Sequence, residues 1–136
     1  MTLGHTSREF AAELQELRER LLLMAARVEE MIDQANKAYQ NRDIQLAADT
    51  ILLDRQVNRD EMEIDALCLS ILARRQPMAS DLRFLIQALK MVTDLERIGD
   101  LAVNVAERVE DLAKDSQAPL HATIPLMADT TRGMVH

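Results

Sequence analysis

Apolar residues recur at Phe10, Leu14, Leu17, Leu21, Met24, Val28, Met31 and Ala35, in alternating steps of four and three. That spacing is a heptad-like seam and predicts one long helix facing partner helices. The helix is expected to start at Thr6 or Ser7, where a hydroxyl can accept an orphan backbone amide. Asn41-Arg42-Asp43 interrupts the seam, with Asp43 a good N-cap for a second helix. The second helix is predicted from about Ile44 to about Arg75, with Leu46, Leu53, Val57, Ile64, Leu67 and Ile71 as its apolar stripe. Pro77 ends it, and Ser80 is placed to cap a third helix that opens Asp81-Leu82-Arg83 and continues to about Lys114. A linker at 115–122 then leads into the start of a fourth helix at 123–136, with Pro125 in its first turn. The expected architecture is all-α: an elongated antiparallel three-helix bundle over 7–114, followed by the beginning of a fourth helix.

Composition supports this and narrows the class. The 136 residues include 48% hydrophobic side chains, enough for one core, but only 2% aromatic, with three Gly and three Pro. Scarce turn formers and scarce aromatics disfavour an all-β fold. The formal net charge of −7 argues against a nucleic-acid partner, which calls for a basic surface. No stretch reaches the roughly 18 apolar residues of a membrane span, so no membrane insertion is expected. The N-terminal residues lack a basic-then-apolar leader, since Glu9 and Glu13 come before any apolar block. Cys68 is the single cysteine, which excludes an internal disulfide and fits a reducing compartment. Its position on the helix suggests a small buried residue rather than a reactive thiol, and most of the eight Met are expected to fill the core. The predicted location is cytoplasmic.

Two groups of acids depart from the pattern. With Asp54 at the origin of a helical wheel, Asn58, Glu61 and Asp65 all fall within about 40° of it. Three carboxylates and an amide thus share one arc over three turns, at the edge of the apolar stripe. Like charges three and four residues apart destabilise an isolated helix by tenths of a kcal/mol per pair, roughly, so this stripe favours a cation. Arg55 and Arg59 point well away from it. In the third helix, Leu82, Leu85, Leu89 and Val92 form a seam whose next position is Glu96, with Asp100 one turn on. A second stripe, Met91, Leu95, Ile98, Ala102, Val105 and Val109, runs along the other side. Gly99, costly in a helix, is expected to permit close approach of another backbone or a ligand. Arg97 offers the competing possibility of a simple ion-pair network, and a solvated acidic face is the competing reading of the first stripe. Acids on two neighbouring helices can converge on one cation. An all-oxygen donor set selects hard ions such as Mg²⁺, Mn²⁺, Ca²⁺ or Fe³⁺. The His residues lie near the ends, which disfavours Zn²⁺ and the Glu-x-x-His signature of di-iron bundles.

The segment Glu96-Arg97-Ile98-Gly99-Asp100 resembles the signature of the PhoU family, the cytoplasmic negative regulators of bacterial phosphate uptake. Arg75-Gln76-Pro77 followed by Ala79-Ser80-Asp81-Leu82-Arg83 is similar to that family's connection between its second and third helices. Asp54-Arg55-Gln56-Val57-Asn58, continuing to Glu61 and Asp65, is similar to its acidic helix. The resemblance covers nearly the whole chain. It implies a non-enzymatic regulator with two tandem three-helix repeats, of which this sequence holds the first and the start of the second, as a truncated protein or a fragment. It further implies a surface metal site with Glu96 and Asp100 as ligands and Asp54, Asn58, Glu61 and Asp65 as their partners. The ion would be Fe, Mn or Mg. Asn58 stands where the family often carries Asp, and an amide is a weaker, neutral ligand. The implied partners are the ATPase of the phosphate ABC transporter and the phosphate sensor histidine kinase. Two other classes remain open on the residues alone: a carboxylate-bridged metalloenzyme, which lacks an imidazole or activated nucleophile here, and a metal-free helical scaffold. Apolar residues on two sides of the third helix lead to the expectation of a homodimer or larger oligomer.

Overall fold

A computed structural model describes residues 2–114, with side chains from Ser7 onward. Three helices account for nearly all of it: α1 (Thr2–Asn41), α2 (Ile44–Arg75) and α3 (Ala79–Lys114). Helix α1 starts at Thr2, little more than one turn before the expected Thr6 or Ser7. The bounds of α2 are those expected from the sequence. The predicted linker and fourth helix lie outside the described residues.

Both turns are short and left-handed. Arg42, with φ of 53°, turns the chain after α1, and Asp43 then caps α2 by accepting a hydrogen bond from Leu46 N at 3.1 Å. At the other end Gln76 closes α2 with φ of 47°, ahead of Pro77, which has no amide to continue the helix. Ala79 takes the left-handed conformation next, so α3 begins there and Ser80 lies inside the helix rather than capping it. Connections of this length force consecutive helices antiparallel, and all three helices pack against one another.

The α1 seam behaves as the spacing predicts. Leu17, Leu21, Met24, Val28, Met31 and Ala35 are buried, with Phe10 and Leu14 packed at the margin. They meet Val57, Ile64 and Ile71 of α2 and Leu85, Val92, Leu95 and Ile98 of α3. A smaller cluster of Tyr39, Ala38, Ala47, Ala106, Val109 and Leu112 closes the α1–α2 turn end. Ion pairs tie the opposite end: Arg75 reaches Glu13 at 2.5 Å and Glu9 at 3.4 Å, and Arg74 reaches Glu13 at 3.2 Å. Arg18 lies over the Phe84 ring at 4.9 Å. Cys68 is buried, and burial together with Asp65 pushes its thiol up to about 11, so it is inert at neutral pH. Met24 and Met31 fill the core as expected, whereas Met62 and Met91 face solvent.

The α3 surface differs from expectation. Its two apolar stripes lie about 140° apart on the helix, and the groove between α1 and α2 embraces most of both. Leu85, Val92, Leu95, Ile98, Ala102 and Val109 are therefore all buried, and only Met91 of the two stripes is exposed. The uncovered α3 face from which self-association was expected is not there.

Candidate functional site

The antiparallel register of α2 and α3 determines which acids meet. Asp54, early on α2, lies beside Asp100, later on α3; Glu61 and Asp65 lie beside Glu96. Five of the six expected site residues are carboxylates, and all five come together at the edge of the α2–α3 interface. Asn58, the sixth, donates to Asp54 Oδ2 at 3.5 Å. It is exposed and supports Asp54 rather than facing α3.

The electrostatics are those of acids lacking a counter-ion. Among the described residues no Lys or Arg forms an ion pair with any of the five. Arg97, the competing local partner, is exposed and makes no such pair. Desolvation at the interface raises the Glu61 carboxyl to about 7, helped by its hydrogen bond with Glu96 and by the charges of Glu96, Asp65 and Asp100. Desolvation also raises Asp54, with the charge of Asp100 adding to it, and raises Asp65, with Glu96 adding. At neutral pH Glu61 thus keeps its proton part of the time, which eases its repulsion with the neighbouring acids. Among the described residues no three His, Cys, Asp or Glu side chains are set to hold a metal ion as they stand. The acids converge, but side-chain rotation is needed before three of them surround one ion.

Gly99 sits under this cluster and corrects a sequence expectation. A Cβ placed there would lie 3.9 Å from Asp54 Oδ1, Met31 Sδ and Val57 Cγ1, which is ordinary van der Waals contact. No close approach demands glycine. Gly99→Ala is therefore expected to stabilise the bundle by about 0.5–1 kcal/mol, through the helix preference of Ala and the reduced freedom of the unfolded chain. Thermal unfolding by circular dichroism checks this; a fall in Tm would mean that the gap serves the acids.

Sequence reasoning missed one pair. Asp60 on α2 is only 5% exposed and is ion-paired to Arg27 of α1. Its second oxygen, Oδ2, has no protein partner. The signal was present: Asp60 stands three residues after Val57 and four before Ile64, a core step of the α2 stripe, as Arg27 adjoins Val28.

The PhoU domain profile matches residues 21–109, which hold the interior of the bundle and every one of these acids. A phosphate-specific transport system accessory protein PhoU homolog of Pseudomonas putida is 42% identical over 132 residues, covering 96% of this chain and 52% of that protein. The Escherichia coli K12 accessory protein PhoU is 36% identical, covering 97% and 55% respectively. The crystal structure of PhoU from Pseudomonas aeruginosa superposes with a TM-score of 0.87 at 41% identity, over 93% of this chain and 61% of that one. This chain thus spans about half the length of the curated relatives it matches.

Proposed function

The chain belongs to the PhoU family, and from that membership we propose that it is a non-enzymatic regulator of phosphate uptake. It acts in the cytoplasm by binding the phosphate ABC transporter ATPase and the phosphate sensor histidine kinase, as a homo-oligomer. No helix of the described residues is long and apolar enough to cross a membrane, so contact with the transporter would run through its ATPase rather than within the bilayer. The observation that carries the reading is the meeting of five uncompensated carboxylates from α2 and α3 on one edge of the bundle. An all-oxygen donor set of that charge fits a hard multivalent cation, Fe, Mn or Mg. Glu96 and Asp100 would hold it, with Glu61, Asp65 and Asp54 closing from α2 and Asn58 steadying Asp54. When bound, the cation supplies positive charge at an otherwise acidic patch and so changes the kind of partner surface this face can meet. The acids crowd one another at this edge, and Glu61 would give up its proton when a cation bound.

Titration calorimetry with Mn²⁺, Fe³⁺ and Mg²⁺ tests the site, alongside a thermal melt. Binding to the folded state alone stabilises it by about 2.7 kcal/mol at a hundredfold excess over Kd, and a chelator should return the melt to its starting point. Asp100→Ala should weaken binding more than Asp111→Ala, which lies farther along α3. Absence of heat and an unchanged melt for every ion would leave the metal-free scaffold as the reading. Co-purification with the transporter ATPase and the kinase tests the partners separately.

A further inference from the structure

Helix α3 carries a basic row on its outward side. Arg83, Lys90, Arg97 and Arg108 are all exposed, and on a helical wheel they fall within about 40° of Arg97. Ile86 and Leu101, 57% and 50% exposed, stand on the same line. The steps along it are of three, four and seven residues, the spacing of a helix seam that faces another helix, and it runs for about 38 Å. Among the described residues none of the four bases forms an ion pair, although the chain as a whole carries a net charge of −7. The nearby acids lie off the line. Asp94 and Asp100 fall about 60° to either side of Arg97, and Asp111 ends the row beyond Arg108. A face that met only water would gain nothing from sorting its charges in this way, or from holding two branched apolar side chains in line with the bases.

We propose that this α3 row docks an acidic amphipathic helix of a partner protein, with acids about seven residues apart and apolar side chains seated against Ile86 and Leu101. Shape and charge both select that occupant. A helix touches a strip no wider than the row, so it meets the four bases and passes between Asp94 and Asp100. A flat anionic surface such as a bilayer would press on those acids as well. Residues 115–136 of this chain hold only Asp115 and Asp129 as acids, too few to match four bases. The α1 acids that a second copy would offer, Glu9 and Glu16, are already held by Arg75 and Arg20. The bases govern the rate and the salt dependence of the encounter, and the two apolar side chains hold the complex once it is formed. The inference rests on the reading that the chain acts by binding, to which it adds a face and a partner chemistry; the cation is not required.

Fluorescence anisotropy of the full 136-residue chain against a labelled synthetic helix, with metal chelated, tests the assignment. The probe is a helix of about 28 residues with Glu at two positions and Leu at two positions of every heptad. It should bind in the micromolar range and weaken about tenfold between about 50 and 300 mM salt. Arg83→Glu with Lys90→Glu changes only exposed positions, so helix content and Tm should hold while the affinity falls at least about tenfold. Arg55→Glu with Arg59→Glu makes the same change of net charge on α2 and should leave the affinity as it was. Leu101→Ser should weaken binding about fivefold while the salt dependence stays the same. Absence of binding overturns the proposal, as does binding that survives the α3 reversal or falls equally with the α2 one. Vesicles of phosphatidylcholine and phosphatidylglycerol that capture the chain, and release it on the α3 reversal, would assign the row to a lipid surface instead. A sedimentation mass that changes on that reversal would assign it to a second copy. None of these outcomes alters the cation calorimetry, so this inference and the metal reading fail separately.

Discussion

Replacing Arg27 with Met is expected to destabilise the bundle by about 3–5 kcal/mol, the usual cost of leaving a buried charge without its partner. Asp60 is nearly sealed from solvent, and its Oδ2 already has no protein donor. Removing the guanidinium strands the whole carboxylate between α1 and α2. Domains of this size have a total stability of about 5–15 kcal/mol, so one substitution removes a large share. Urea unfolding at neutral pH measures the effect. The paired substitution Arg27→Met with Asp60→Leu should recover most of the loss, because apolar residues of similar volume satisfy the same space without desolvating a charge. A single-substitution loss below about 1 kcal/mol would show that water reaches Asp60 freely.

A second large effect should appear on changing pH. Glu61 holds its proton up to about 7 in the folded bundle, against an ordinary value of 4.5 when unfolded. The folded state therefore binds more protons than the unfolded one between those limits, and stability falls as pH rises through that window. Asp54 and Asp65 are raised as well and push in the same direction. Because Glu61 is only half-buried, solvent screening reduces the contribution to the order of 1–3 kcal/mol. Urea midpoints at pH 5, 6, 7 and 8, with metal chelated, should decline to about pH 7 and level off by pH 8, and Glu61→Gln should flatten the decline. A midpoint that rises from pH 5 to 8 would contradict the electrostatics of this edge.

How far the sequence carried these conclusions depends on the signal each residue left. The α1 seam, the Asp43 cap and the Pro77 stop were legible because spacing, a capping hydrogen bond and a missing amide act locally. The convergence of Asp54, Glu61 and Asp65 with Glu96 and Asp100 was legible from helical phase plus an antiparallel connection. Three features were not. The α3 stripes read as two apolar sides that two helices cover only in part, since a single-helix wheel does not show how wide a groove two neighbours form. Gly99 was read as a contact point, although only the distances to Met31, Val57 and Asp54 reveal that a methyl group fits. Asp60 was passed over because its meaning lies in Arg27, 33 residues away and on another helix.

The two brief turns also bear on how the chain finds its fold. Only Arg42 and Asp43 separate α1 from α2, and only Gln76, Pro77 and Met78 separate α2 from α3. Each antiparallel pair is thus a hairpin whose ends meet without any appreciable search, the situation in which helical proteins fold on the order of microseconds to milliseconds. The parallel contact of α1 with α3 is different, because it spans all of α2 and closes only after a hairpin exists. Met31, Gly99 and Val57, one from each helix, meet where that closure occurs. The α2 and α3 carboxylates belong to one such hairpin, so their meeting does not wait on the contact of α1 with α3.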